Sequence, residues 1–143
     1  MAAAKLTVKE LEGRLSAEFP QMFNRQNGYA IEEIWHGGCR VRKHFDDRSL
    51  RPGGTIAGTT MMTMADFAMY VAVLGSIGWV PLAVTTNLTI NFLKKPAARD
   101  LLGEAKLLKL GKRLAVGEIS MRSEGEDELV AHATCTYSIP PNR

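Results

Sequence analysis

Residues 51–75 read RPGGTIAGTTMMTMADFAMYVAVLG, and the reading of this stretch decides the fold. From Thr59 to Leu74 it contains neither proline nor glycine, it is flanked by Gly58 and Gly75, and it is apolar on nearly every side. A surface helix carries a charged face, whereas a helix that is apolar all round is buried. The pattern predicts a core helix over 59–74 on which the rest of the chain packs. Its few polar side chains, Thr59, Thr63, Asp66 and Tyr70, recur at steps of three and four and fall in one stripe.

Asp66 is the only charge in that run. Even a neutral polar group buried without a partner costs about 2–7 kcal/mol, and an unpaired carboxylate costs more. Asp66 must be hydrogen-bonded, partly wet or shifted towards its neutral form. A core aspartate tied to a hydroxyl would meet that demand without doing chemistry. The lead-in argues for chemistry. Arg51-Pro52-Gly53-Gly54-Thr55-Ile56-Ala57-Gly58 delivers free backbone N–H groups to the helix start, where an anionic oxygen or a phosphate can bind. Its glycines let the backbone approach a ligand closely.

At 143 residues and 45% hydrophobic composition, the chain suits a single domain over 1–143 with a sizeable core. Lys and Arg number 18 against 15 Asp and Glu, a net charge of +3. That excess can attract an anionic ligand, but it is scattered and far below what a nucleic-acid binder shows. Cys39 and Cys135 form no CxxC spacing, so buried free thiols are expected and a metal site is not. The N-terminus, MAAAKLTVKELEGRL, turns charged too early for a secretory leader. The longest apolar run is broken by Asp66, Gly75, Gly78 and Pro81, so no membrane span is expected either, and a soluble cytoplasmic protein is the default.

Leu6–Phe19 reads as a short amphipathic helix, with Thr7 as N-cap and Glu10 completing a capping box. Tyr29–Trp35 and Cys39–Phe45 read as a hairpin turning at His36-Gly37-Gly38, and Asp46–Gly54 reads as a polar loop. Val84–Phe92 alternates most cleanly: Val84, Thr86, Leu88, Ile90 and Phe92 are expected on the core face, with Thr85, Asn87, Thr89 and Asn91 on the other. Leu101–Leu110, Arg113–Ser123 and Leu129–Ile139 read as three further strands. One helix wrapped by a curved antiparallel sheet, an α+β architecture, satisfies this order; alternating parallel βαβ units do not.

Three stretches resemble the hotdog-fold thioesterases, specifically the phenylacetyl-CoA thioesterase (PaaI-like) group: RPGGTIAGTTMMTMADFAMY, TTNLTINFLKKPA, and the pair GKRLAVGEISMRSEG and LVAHATCTYSIP. The resemblance implies acyl-CoA thioester hydrolysis at sites between two subunits of a homodimer or homotetramer. It implies that Asp66 is the catalytic carboxylate, that Gly58 offers its N–H to the thioester oxygen, and that Thr85 assists from the partner's strand. Lys94, Lys95 and Arg113 match places that meet the CoA phosphates; a solvated strand end is the other reading of Lys94-Lys95. Arg51, Gly54 and Ala57 of the loop, Thr59 and Thr63 of the polar stripe and Asn87 of the strand complete the expected substrate-binding set. No cofactor is expected beyond the coenzyme A carried by the substrate.

The sequence departs from the family twice. Where many relatives carry His-Gly-Gly before the helix it has Ala57, and where they carry an upstream Asn it has Arg51. The tripeptide His36-Gly37-Gly38 belongs to the first hairpin instead. A non-catalytic acyl-CoA or lipid-binding protein and an acyl-thioester dehydratase or hydratase are the alternative readings. His36, His44 and His132 show neither metal-ligand spacing nor sequence proximity to Asp66. The methionines at 61, 62, 64 and 69 read as adaptable core filler.

Overall fold

The computed structural model describes residues 3–141; residues 1, 2, 142 and 143 of the expected domain lie outside the described residues. Helix α1 spans Val8–Glu18 and opens on the expected capping box, with Thr7 Oγ1 accepting from the Glu10 N–H at 3.1 Å and Glu10 Oε1 accepting from the Thr7 N–H at 3.0 Å. Leu11 and Leu15 face inward. Strands β1 (Tyr29–Trp35) and β2 (Gly38–Lys43) form the hairpin. The segment expected as a polar loop is more ordered than its composition suggests: a 3-10 turn over Asp47–Ser49 leads into a short ribbon of β3 (Leu50–Arg51) and β4 (Thr55–Ile56). Then come α2 (Gly58–Ile77), β5 (Val84–Phe92), β6 (Leu101–Leu110), β7 (Leu114–Ser123) and β8 (Leu129–Ser138).

Six strands form one antiparallel sheet in the order β1-β2-β6-β7-β8-β5, which wraps α2 in the hotdog arrangement. Met64, Ala65, Ala68, Met69 and Ala72 of the helix share one buried cluster with Val41, Ala105, Ile119 and Ala133 of the sheet. Helix and sheet touch closely. The Sδ atoms of Met64 and Met69 each lie 2.8 Å from where a Cβ would project at Gly103 and Gly117, so two glycines on the inner sheet face receive two flexible thioethers. Both cysteines are buried and free. By length and composition α2 could cross a membrane, but here it is the core of the fold.

Two boundaries differ from the sequence reading. Gly75 does not end α2 but lies inside it, because a Cβ there would sit 2.3 Å from Cγ2 of Ile34. The helix stops at Gly78, whose φ of 99° favours glycine and whose N–H caps Leu74 O at 2.8 Å. The clean alternation of β5 is also broken. A bulge between Thr85 and Asn87 changes its phase, leaving Val84, Thr86 and Phe92 exposed while Thr85 pairs with Tyr137 of β8.

Candidate active site

Asp66 projects from the polar stripe of α2 towards the end of β5 and β8, and two hydroxyls meet it there. Thr85 Oγ1 donates to Asp66 Oδ1, and the Tyr137 hydroxyl donates to the same oxygen at 2.8 Å while lying 3.1 Å from the Asp66 carbonyl oxygen. Oδ2 has no protein partner among the described residues. The carboxylate is therefore held by one oxygen and presents the other. Two charge-assisted donors offset part of the cost of keeping it in an apolar setting. No cation takes part: Asp66 makes no ion pair among the described residues.

Asp66 borders a cavity of about 360 Å³ whose walls are chiefly apolar, including Phe19, Met22, Phe67, Tyr70, Leu82 and Val84. Two of these come from the end of α1 and the turn after it, which sequence reasoning did not connect to the site. Tyr70 donates to Pro81 O at 2.9 Å, which ties the loop after α2 to the cavity wall. The phenols of Tyr70 and Tyr137 are pushed up, first by burial and then by nearby negative charge, including that of Asp66, so both stay protonated donors. Burial, with Asp66 adding to it, pushes the Cys135 thiol up to about 12.

The start of α2 is a separate place. Gly58 and Asp66 are eight residues apart on one helix, about 12 Å along its axis. The N–H groups of Gly58 and Thr59 have no protein acceptor among the described residues, while that of Ala57 donates to Ser49 O at 2.8 Å and that of Gly54 to Arg51 O at 3.1 Å. Ala57 and Gly54 thus use their donors on local structure. A cavity of about 640 Å³ lies here, bordered by Arg51, Gly58, Met61, Phe92, Lys94 and Lys95. Lys94 is partnered by Glu126 at 3.3 Å and Glu128 at 3.5 Å, which raise its pKa; Lys95 has no ion pair among the described residues. Thr63 lines the Asp66 cavity and, with Thr59, a third cavity of about 300 Å³; the Thr63 hydroxyl donates back to Thr59 O at 3.1 Å.

One expectation needs correcting. Thr85 was expected to act on a partner's site, but it bonds Asp66 of its own chain, because the bulge turns it inward. Within one chain Arg113 lies apart from Lys94 and Lys95. It donates to Ile139 O at 3.3 Å beside the β5 end at Val84, whereas the lysines follow Phe92, eight residue steps or about 26 Å away. Asn87 pairs with Thr136, is exposed, and is not part of either cavity. Tyr137 is the contact the sequence did not single out, since only the β5–β8 register places it opposite Thr85.

A lone carboxylate with a free oxygen, an apolar cavity and unpartnered helix N–H groups suit acyl-thioester chemistry, and comparison with known proteins agrees. The thioesterase superfamily model matches residues 53–130, more than half of the chain, and this chain belongs to that family; it is a thioester hydrolase. Among solved structures it is similar to an inferred thioesterase of Silicibacter sp. TM1040, with 44% identity, 96% of this chain and 94% of the other covered, and a TM-score of 0.87. It shares its fold with a variant of the phenylacetic acid degradation protein PaaI of Thermus thermophilus (23% identity, 85% and 99% covered, TM-score 0.72). The same holds for smu.793 of Streptococcus mutans, solved bound to acetyl CoA (22% identity, 78% and 88% covered, TM-score 0.70).

Proposed function

We propose that this protein hydrolyses acyl-CoA or aryl-acyl-CoA thioesters at a site assembled from two chains, with Asp66 of one and the α2 N-terminus of the other meeting at the thioester. The observation that carries this reading is Asp66 on the wall of an apolar cavity, held through Oδ1 with Oδ2 unpartnered among the described residues. That oxygen either takes a proton from the attacking water or attacks the thioester carbon itself. The carbonyl oxygen, as it gains charge, needs donors within hydrogen-bond reach. Gly58 and Thr59 have such donors free, but about 12 Å from the Asp66 of their own chain.

A second copy removes that separation. Strand β5 is an edge of the sheet with an unpaired side, and Val84, Phe92 and Leu93 are exposed along or just beyond it. An open edge of that kind is a template for pairing with another strand. Antiparallel pairing of two β5 strands about Leu88 sets Val84 of one chain opposite Phe92 of the other. Phe92 packs on Gly58, its Cζ 3.3 Å from where a Cβ would sit, and Thr85 is bonded to Asp66. The pairing therefore carries the helix start of one chain to the carboxylate of the next. The acyl group then fits the apolar cavity beside Asp66, while Lys95, Lys94 and Arg51 border the CoA side, as coenzyme A binding in smu.793 makes reasonable. A homodimer is the smallest such assembly, and a homotetramer repeats it. Cytoplasmic location and the absence of any further cofactor belong to the same proposal.

The experiment is turnover of a panel of acyl- and aryl-acyl-CoA thioesters followed by thiol release. Thiol release by the wild-type protein and its loss in Asp66→Asn are expected. Tight binding without turnover by the wild type would make the protein a carrier instead.

A further inference from the structure

We propose that Tyr137 is a positioning residue for the reaction, holding Asp66 by one oxygen so that the other stays free to react. The proposal rests on the reading of Asp66 given above and adds a residue to it. Tyr137 lies seven positions beyond the matched family segment, which ends at residue 130.

Three features converge on it. Its ring is 3% exposed and packs beside Tyr70 with centroids 6.1 Å apart, so the hydroxyl has a fixed location and little access to bulk water. That hydroxyl and Thr85 Oγ1 both donate to Oδ1, and a carboxylate bonded twice at one oxygen loses its freedom to rotate and exchange the two. The β5 bulge turns the Thr85 side chain to the Tyr137 side of the ladder, and bulges of this kind re-aim a side chain next to a site. Tyr137 itself does not face the thioester through its hydroxyl, because that hydroxyl is engaged by Asp66.

The groups facing Asp66 are Tyr137 and Cys135 from β8, Thr85 from β5 and Tyr70 from its own helix, with Glu18 of α1 beyond Tyr70. The two phenols and the thiol are all raised, so none of the three titrates on the acid side of neutrality. Tyr137→Phe keeps the ring and deletes one donor to the charged form. We expect kcat to fall roughly 10- to 100-fold with KM changed less than about threefold. In an Asp66→Asn background the same change should cost almost nothing further in kcat, because Tyr137 acts through the carboxylate. A Tyr137→Phe protein with the wild-type kcat overturns the proposal. So does one that does not fold, since the hydroxyl would then serve the structure. If Asp66→Asn itself leaves kcat unchanged, the failure belongs to the assignment of Asp66 and not to Tyr137 alone.

Discussion

Around Arg42 and at Asp66, carboxylates are satisfied in opposite ways. Around Arg42, on the outer part of the sheet, one guanidinium holds Glu32 at 2.7 Å and Asp100 at 3.0 Å and also contacts Glu124, while Arg40 adds bonds to Glu32 and Glu33. Every carboxylate there has a cation. At Asp66 the partners are two neutral hydroxyls on a single oxygen. Charge pairing saturates a carboxylate and ties strands together, whereas neutral donors fix its direction and leave it able to accept a proton or attack. The Arg42 cluster joins β1, β2, the start of β6 and the β7–β8 turn, so it serves the fold; Asp66 has the features of a reacting group.

The largest expected effect separates the two directly. Asp66→Asn should lower kcat by about 10²–10⁴ while the melting temperature changes little, because Asn keeps the size and can still accept from Thr85 and Tyr137. Steady-state turnover alongside a thermal melt measures both. A folded Asp66→Asn enzyme with near-normal kcat would erase the contrast.

Arg42→Ala should show the reverse, with kcat within about twofold and stability lower by about 1–2 kcal/mol, since three carboxylates lose a partly buried partner. The pH dependence has a definite sign. Arg42 holds Glu32 low, and at Asp100 burial pushes up but the Phe45 N–H, Arg42 and His44 outweigh it and leave that carboxyl low as well. A depressed folded pKa contributes stability that is present above the unfolded value of about 4 and lost as pH falls through the folded one. Denaturant melts between pH 6 and 3 should show that decline in the wild type and a shallower one in Arg42→Ala.

The smallest effect concerns the other cavity. Lys95 is an exposed cation without an ion pair among the described residues, whereas Lys94 is shared with two glutamates. Lys95→Ala should raise KM for the CoA ester a few-fold and weaken its dependence on ionic strength, with kcat nearly unchanged. Lys94→Ala should do less. A fall in kcat at constant KM would remove the lysines from the phosphate-binding side.

Much of this contrast was legible before any coordinates. A sixteen-residue run without a helix breaker and with one charge marks both the core helix and the residue in it that needs explaining. What the sequence conceals is tertiary. Gly75 reads as a stop because glycine usually is one, yet here its missing Cβ makes room for Ile34. Thr85 reads as outward because the alternation of β5 is clean, and no residue in that strand announces the bulge. Tyr137 reads as one more core residue of β8, since its meeting with Asp66 depends on the register of two strands about fifty residues apart. The separation of Arg113 from Lys94 and Lys95 within one chain is equally tertiary, since the β5–β8 register and the length of β5 set it.

The claim that two chains build each site can be tested by mixing two defects. Gly58 is the first residue of α2, Ala57 before it has φ −65° and ψ 146°, and proline is tolerated at such a first position after an extended residue. Gly58→Pro therefore deletes the N–H while keeping the helix, with the Phe92 ring shifting by a few tenths of an ångström. Each variant alone should be nearly inactive. Unfolded and refolded together in equal amounts, Gly58→Pro and Asp66→Asn chains form mixed pairs in which one of the two sites is built wholly from intact residues. The mixture should recover about a quarter of wild-type activity if pairing is random. Activity no higher than that of the two parents, with mixed assemblies shown to form by native mass spectrometry, would contradict the two-chain site.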